Sequence, residues 1–155
     1  MPPGVRERVV VSDWGALPRE ALVALYNAAD VYASTSAEGF GLTLAEALAC
    51  GIPAVGLDYS AVPEVIGPAG RVVEVGRVLD NEYAHHWALP DEEAFGIAVA
   101  YLLDHPARAR ELGALGPRHV AQNFSWSMAA DVMVGLLEGR PVLHVVDEER
   151  EAVAV

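Results

Sequence analysis

The stretch EGFGLTLAEALACGIPAV, residues 38–55, decides the fold of this chain. Its first glycines, Gly39 and Gly41, lie in a loop that runs directly into an apolar helix pattern, and Gly51 ends that pattern. Glycine has no Cβ, so a ligand can approach such a loop closely. A helix N-terminus also offers free backbone N–H groups and the positive end of the helix dipole. The stretch therefore predicts a loop–helix–strand unit with a phosphate site at the start of the helix.

Two glutamates flank this predicted phosphate site. Glu38 precedes the glycine loop, and Glu46 lies within the helix pattern. Carboxylates accept hydrogen bonds and suit hydroxyl groups, so the arrangement describes a ligand that contains a sugar, a diphosphate and a ribose. Glutamate is also common in the first turns of helices for dipole reasons alone. The alternative interpretation is therefore that both are solvated residues around a helix start.

Strand and helix patterns alternate on both sides of this stretch. Predicted strands cover residues 9–11, 31–33, 54–57 and 71–75, and predicted helices cover residues 18–28, 41–50 and 63–66. Strands that alternate with helices form parallel sheets covered by those helices. The chain is therefore predicted to be an α/β domain with a parallel sheet of about four strands.

The second half of the chain is predicted to be helical after a long loop at 76–89. A helix over 91–104 has the apolar face Phe95, Ala98, Val99 and Leu102. Pro106 opens another helix, which Gly116-Pro117 weakens. Ser125 can cap a last helix with the apolar face Trp126, Ala129, Ala130, Met133 and Leu137. Residues 1–139 are thus predicted to form one domain, and residues 140–155 an extension with a candidate strand at 142–146 and an acidic tail.

The stretch resembles the donor-site signature of retaining glycosyltransferases of the GT-B fold, of the family 4 type. That signature reads roughly EGFGLxxxEAxACGxPVV, and this chain differs from it only at Ala54, where the family has valine. Residues 29–32, 63–66 and 124–126 resemble further motifs of the family. The resemblance covers roughly residues 9–138. It implies a partial Rossmann-like domain, the C-terminal donor-binding part of such an enzyme, without its N-terminal domain and the start of the donor domain.

The resemblance also implies roles for individual residues. Glu38 is the catalytic candidate and contacts hydroxyls of the donor sugar, while Glu46 takes the ribose hydroxyls. The residues assigned to donor binding are Gly39, Phe40, Gly41, Leu42, Thr43 and Glu46. The chain departs from the family at Ser60-Ala61, where the family has two glycines that bring backbone close to the ligand.

Four further residues are candidates for contact with a ligand or a metal. Trp14 lies where the family loop passes near the nucleobase, although packing is the favoured interpretation. Arg71 starts a predicted strand and is the nearest candidate to replace the phosphate-binding charge that the family carries in the missing start of the donor domain. His85 and His86 suggest a metal site, but neighbours in an extended segment point to opposite sides and no further ligand stands at suitable spacing. We expect them in an exposed loop, and we expect no metal or other cofactor.

Composition limits the classes of partner. The chain has 155 residues, a formal net charge of −12, 53% apolar residues and one cysteine. The acidic balance argues against nucleic acid and against an electrostatic membrane anchor. Neither a signal peptide nor a transmembrane segment is expected, and one cysteine fits a reducing cytoplasm.

The sequence thus predicts the donor-binding portion of an enzyme that transfers a hexosyl group from a nucleoside diphosphate sugar with retention. The alternative is a non-catalytic module that binds sugar nucleotides or oligomerises, as one half of a split enzyme. Two strands of the family's sheet would be missing beside residues 31–33, which leaves an apolar strand edge open. Either the strand at 9–11 pairs with this edge, or two copies of the chain associate. We expect a homodimer, or a complementing N-terminal glycosyltransferase polypeptide.

Overall fold

The computed structural model of the protein describes residues 17–80 and 86–140. In chain order, the elements in these ranges are α1 (Arg19–Asn27), β1 (Tyr32–Ala33), α2 (Leu42–Ala49), β2 (Ala54–Leu57), α3 (Val62–Ile66), β3 (Gly70–Val73), β4 (Val75–Asp80), β5 (His86–Pro90), α4 (Glu92–Asp104), α5 (Pro106–Gly113), α6 (Gly116–Asn123) and α7 (Trp126–Leu137). The alternation of strands and helices from α1 to β3 confirms the predicted α/β pattern.

The central sheet is parallel, with the strand order β1–β2–β3. Tyr32 pairs with Ala54, and Val55 pairs with Arg71. Every residue of β2 is buried, as expected for the middle strand of a parallel sheet covered on both faces. Three predicted strands are thereby confirmed. The fourth, at 9–11, lies outside the described residues.

Helices cover both faces of this sheet. Ala54 of β2 points into a cluster that α2 and α3 build with Leu44, Leu48, Val62, Val65 and Ile66. Its neighbour Val55 points to the other face, into a cluster with Val73, Ala98, Leu102, Ala109 and Leu112 from β3, α4 and α5. Neighbouring residues of a strand face opposite sides, so β2 divides the core in two. The predicted apolar face of the helix at 91–104 is confirmed by its burial here.

The helix ends follow the predicted signals. Gly51, at φ 80°, closes α2, and the N–H of Ile52 donates to the carbonyl of Ala47 at 3.1 Å. Asp91 caps α4 by accepting from the N–H groups of Glu93 and Ala94, both at 3.0 Å. The Gly116-Pro117 break divides the predicted helix from Pro106 into α5 and α6.

The predicted long loop at 76–89 is wrong, because β4 and β5 pair there as an antiparallel hairpin. Leu79 pairs with Trp87, and Val78 pairs with Ala88, of which only Ala88 is buried. Strands with solvent on most of their surface lack the apolar alternation that marks a half-buried strand. His86 therefore lies at the start of β5 and not in a loop, whereas His85 lies outside the described residues.

The last helix, α7, exposes the apolar face that its sequence predicts. Ser125 caps it by accepting from the N–H of Met128 at 3.3 Å, as expected. Trp126 is 91% exposed and Leu137 is 82% exposed. The candidate strand at 142–146 and the acidic tail lie outside the described residues. Within the ranges that the structure describes, no helix has the length and hydropathy needed to cross a membrane.

Candidate functional site

The loop between β1 and α2 leaves the start of α2 open. Gly41 has φ 87° and ψ 63°, a left-handed conformation, and it immediately precedes the first residue of α2. No side chain among the described residues caps this helix, so no side-chain acceptor occupies its first N–H groups. A Cβ built on Gly39 would meet no atom within 4 Å. The backbone of this loop is therefore accessible to a ligand from the side of Gly39.

The loop between β2 and α3 holds the backbone of Glu38 in place. The Ser60 hydroxyl donates to the Glu38 carbonyl at 2.8 Å, and the N–H of Ala61 donates to the same oxygen at 3.4 Å. Ser60 has φ 56°, a conformation that favours glycine. This explains physically why the family has glycine where this chain has serine. Sequence reasoning missed the role of Ser60 in anchoring the loop, and its only signal was that departure.

An aromatic contact fixes the middle of the glycine loop. The ring of Phe40 packs edge-on against Phe124, with centroids 5.4 Å apart, and Phe124 packs in the same way against His119. His119 Nε2 lies 3.1 Å from the carbonyl oxygen of Glu64, which can only accept, so Nε2 carries the proton. Its Nδ1 then accepts from the side-chain amide of Asn123 at 3.1 Å. These contacts tie the loop to the end of α6.

Glu46 lies on the second turn of α2, where a tyrosine from another helix meets it. The Tyr26 hydroxyl donates to Glu46 Oε2 at 2.9 Å. Burial raises the pKa of the Tyr26 hydroxyl above its ordinary value, and the hydrogen bond to Glu46 raises this pKa further. One turn earlier, the hydroxyls of Tyr32 and Thr43 lie 2.8 Å apart. The face of α2 with Thr43 and Glu46 therefore turns towards α1 and β1.

The structure brings together the predicted residues from Glu38 to Glu46 but not Arg71. The loop and the start of α2 follow the carboxyl end of β1, the edge at which open parallel sheets bind ligands. Arg71 pairs in register with Val55, and its guanidinium lies 4.7 Å from the ring centroid of Tyr101 in α4. Arg71 thus lies on the face of the sheet opposite α2. Trp14 lies outside the described residues.

One depression among the described residues lies away from the glycine loop. A shallow depression of about 340 Å³ lies at the base of the β4–β5 hairpin. It is lined by Gly76, Arg77, Leu89, Pro90, Asp91 and Glu92. Residues 17–80 and 86–140 contain no group of three or more His, Cys, Asp or Glu placed to hold a metal ion. The loop before α2 is the candidate site because it combines the predicted residues with an uncapped helix start behind the left-handed Gly41.

Comparison with known proteins assigns the family. The family model "Glycosyl transferases group 1" matches residues 10–94, more than half of the chain. The chain belongs to the glycosyl transferases group 1 family. The match includes the whole loop–helix–strand unit at 38–55, so the resemblance to GT-B glycosyltransferases is confirmed.

Three similar proteins show what share of a glycosyltransferase's length this chain covers. A D-inositol 3-phosphate glycosyltransferase of Rhodococcus opacus is 38% identical over 79% of this chain and 25% of its own length. A GDP-mannose-dependent alpha-(1-6)-phosphatidylinositol monomannoside mannosyltransferase of Mycolicibacterium smegmatis is 31% identical over 88% of this chain and 34% of its own. The solved sucrose-phosphate synthase from Thermosynechococcus elongatus is 29% identical, with a TM-score of 0.63, over 81% of this chain and 29% of that chain. This chain therefore spans about a quarter to a third of such proteins.

Proposed function

We propose that this chain is the donor-binding part of a glycosyltransferase that transfers a hexosyl group from a nucleoside diphosphate sugar with retention of configuration. The observation that carries the proposal is the uncapped start of α2 behind the left-handed Gly41. Glu38 precedes that start in the chain, and Glu46 lies one turn into the helix. A diphosphate at the helix start, with hydroxyls on either side, fits this order of groups.

Each part of the site then has one task. The N–H groups of Leu42 and Thr43 bind the diphosphate, and the backbone of residues 39–41 lines the sugar and phosphate. Glu38 contacts hydroxyls of the sugar, and Glu46 contacts those of the ribose. The bond between the sugar C1 and the diphosphate oxygen breaks, and its electron pair stays on the diphosphate. C1 bonds to the acceptor oxygen on the same face, which retains the configuration, and the acceptor proton passes to the leaving diphosphate oxygen. The dipole of α2 stabilises the negative charge that develops on the leaving diphosphate.

The donor is the substrate in this proposal, and no separate cofactor or metal takes part. The name of the M. smegmatis relative makes GDP-mannose the first donor to test, followed by UDP-sugars. A single cysteine fits a cytoplasmic location, where such donors are used. The proposed partners are a second copy of the chain or a complementing N-terminal glycosyltransferase polypeptide, and the complementing polypeptide would supply the second wall of the cleft, which binds the acceptor.

Titration calorimetry with GDP, GDP-mannose, UDP and UDP-glucose tests the proposal. We expect one nucleotide and its sugar to bind. Glu46→Ala should weaken both ligands, because it removes the ribose contact. Glu38→Ala should weaken only the sugar-bearing ligand. Hydrogen bonds to a charged group are worth about 1.5–3 kcal/mol, so each loss should be roughly 10- to 150-fold in Kd.

The control is Glu92→Ala, which removes an exposed carboxylate from the first turn of α4, away from the loop. It should leave binding unchanged. Equal losses for both ligands in Glu38→Ala and Glu46→Ala would contradict the assignment of roles. Binding without transfer by the chain alone is expected, because one wall cannot orient donor and acceptor. Binding that persists without transfer after the complementing polypeptide is added would favour the non-catalytic module.

A further inference from the structure

The carboxylate of Glu46 is held by a residue that the glycine-loop signature does not contain. Tyr26 lies in the last turn of α1, and its hydroxyl donates to Glu46 Oε2 at 2.9 Å. Tyr26 is half-buried whereas Glu46 is exposed. The hydrogen bond therefore joins two helices that are separated along the chain by β1 and the glycine loop.

The surroundings of Tyr26 keep it a donor. Burial raises the pKa of its hydroxyl, and the neighbouring Glu46, Tyr32 and Cys50 raise this pKa further. The phenol therefore stays protonated at physiological pH and donates to the carboxylate. Within the described residues, Glu46 Oε2 is the atom that accepts this bond, and no group hydrogen-bonds Oε1. One carboxylate oxygen is thus occupied, and the other is left to accept from a ligand.

We propose that Tyr26 is a positioning residue for ribose recognition, whose hydroxyl fixes Glu46 so that Oε1 accepts from the ribose hydroxyls of the donor nucleotide. This inference rests on the proposed function, in which Glu46 binds the ribose. An exposed glutamate samples several rotamers, and a ligand that needs one of them loses affinity by ordering it. Tyr26 orders the side chain before the nucleotide arrives. Its contribution should therefore appear in the recognition of ribose hydroxyls and not in the binding of phosphate.

A second tyrosine provides a matched control. Tyr32 makes the equivalent contact one turn earlier on α2, where its hydroxyl lies 2.8 Å from Thr43 Oγ1. Thr43 and Glu46 stand three residues apart and share one helix face. Tyr32→Phe removes the same atom from the same type of residue as Tyr26→Phe, but it leaves Glu46 Oε2 bonded.

The experiment measures discrimination between a ribose and a sugar without its hydroxyls. Calorimetry gives Kd for the preferred nucleoside diphosphate and for its 2′,3′-dideoxy analogue, in the full chain and in Tyr26→Phe, Tyr32→Phe and Glu46→Gln. We expect the wild type to prefer the ribonucleotide. The discrimination ratio is the Kd of the dideoxy analogue divided by the Kd of the ribonucleotide. Tyr26→Phe should reduce this ratio by roughly 3- to 10-fold, the effect of one ordinary hydrogen bond. Tyr32→Phe should leave the ratio unchanged.

The ratio separates a positioning role from a structural one, because a loosened fold weakens both ligands equally. Melting temperatures of the variants check that each one folds, and the retained ring of Tyr26→Phe preserves its packing. If Glu46→Gln lowers the ratio but Tyr26→Phe leaves it unchanged, the inference about Tyr26 is wrong and the proposed function still stands. A wild type that binds neither nucleotide, or a ratio that Glu46→Gln does not change, would overturn the ribose role of Glu46 and this inference with it.

Discussion

Two residues give the glycine loop its shape through their backbone conformations. Gly41 adopts φ 87° immediately before α2, and Ser60 adopts φ 56° where it bonds the carbonyl of Glu38. A left-handed conformation costs an L-residue with a side chain roughly 1–2 kcal/mol. Gly41 avoids this cost, whereas the two hydrogen bonds from Ser60 and Ala61 to Glu38 offset it at Ser60. The left-handed conformation is therefore accommodated in two ways, by the absence of a side chain at Gly41 and by hydrogen bonds at Ser60.

Substitution of the two loop glycines should separate stability from binding. Gly41→Ala puts a Cβ on a left-handed backbone, so it should lower the free energy of unfolding by about 1–2 kcal/mol. Gly39→Ala puts a Cβ into open space and should change that free energy by less than about 0.5 kcal/mol. The same Cβ lies on the accessible side of the loop and should weaken nucleotide-sugar binding. Urea unfolding and calorimetry measure the two effects, and a stable Gly41→Ala variant would refute the backbone argument.

At the scale of elements, α2 is held at both of its ends. Its start follows the loop that Phe124 and Ser60 fix, and its C-terminal turn contacts the junction of α5 and α6. A Cβ on Gly116 would lie 2.4 Å from the carbonyl oxygen of Leu48, and a Cβ on Gly113 would lie 2.2 Å from that of Gly51. The two helices can approach α2 this closely only because both positions are glycine. The position of the candidate site therefore depends on residues far from it in sequence.

The contact between α2 and α6 makes a second pair of glycine substitutions informative. Gly116→Ala forces a methyl group against backbone that cannot move cheaply, and it should lower the free energy of unfolding by about 1–3 kcal/mol. Gly96→Ala is the control, because Gly96 lies inside α4 with no atom within 4 Å of its Cβ position. It should raise that free energy by roughly 0.5–1 kcal/mol through helix propensity. Thermal or urea unfolding gives both values, and similar values for the two variants would show that α6 does not pack as described.

At the scale of the whole molecule, the layered α/β/α core contrasts with the exposed α7. Met133 is 61% exposed on the apolar face that also includes Trp126 and Leu137. Within the described residues, β1 pairs only with β2, so one edge of that strand has no partner there. Apolar faces and open strand edges are the features that pair with another chain. Both support the proposal that two copies associate.

Light scattering should therefore give a mass of about twice 16.5 kDa for the purified chain. Met133→Glu should shift the mass towards the monomer, because it places a charge on the apolar face of α7. Ser127→Glu adds the same charge to the same helix at an exposed polar position and should leave the dimer intact. A monomer mass of 16.5 kDa for the unmodified chain at high micromolar concentration would rule the homodimer out.

The sequence by itself determined the elements that local chemistry specifies. The Gly51 and Ser125 caps, the buried strand at 54–57 and the apolar face of α4 were all predicted from short-range patterns and are confirmed. The glycine loop before α2 was located for the same reason, since glycines, helix start and glutamates are contiguous. Each of these features lies within a single turn, strand or helix, so the residues that create it are neighbours in the chain.

Only the tertiary structure decided which distant residues meet. It paired β4 with β5, placed Arg71 over Tyr101 on the far face of the sheet, and brought Tyr26 to Glu46. None of these contacts produces a periodic pattern in the sequence, because each depends on how separate elements pack and on which face of the sheet a side chain points to. The sequence thus located the glycine loop, whereas packing selected the side chains that support it. The physical reason is that capping and amphipathic periodicity act over a few residues, while side-chain contacts between elements require the assembled core.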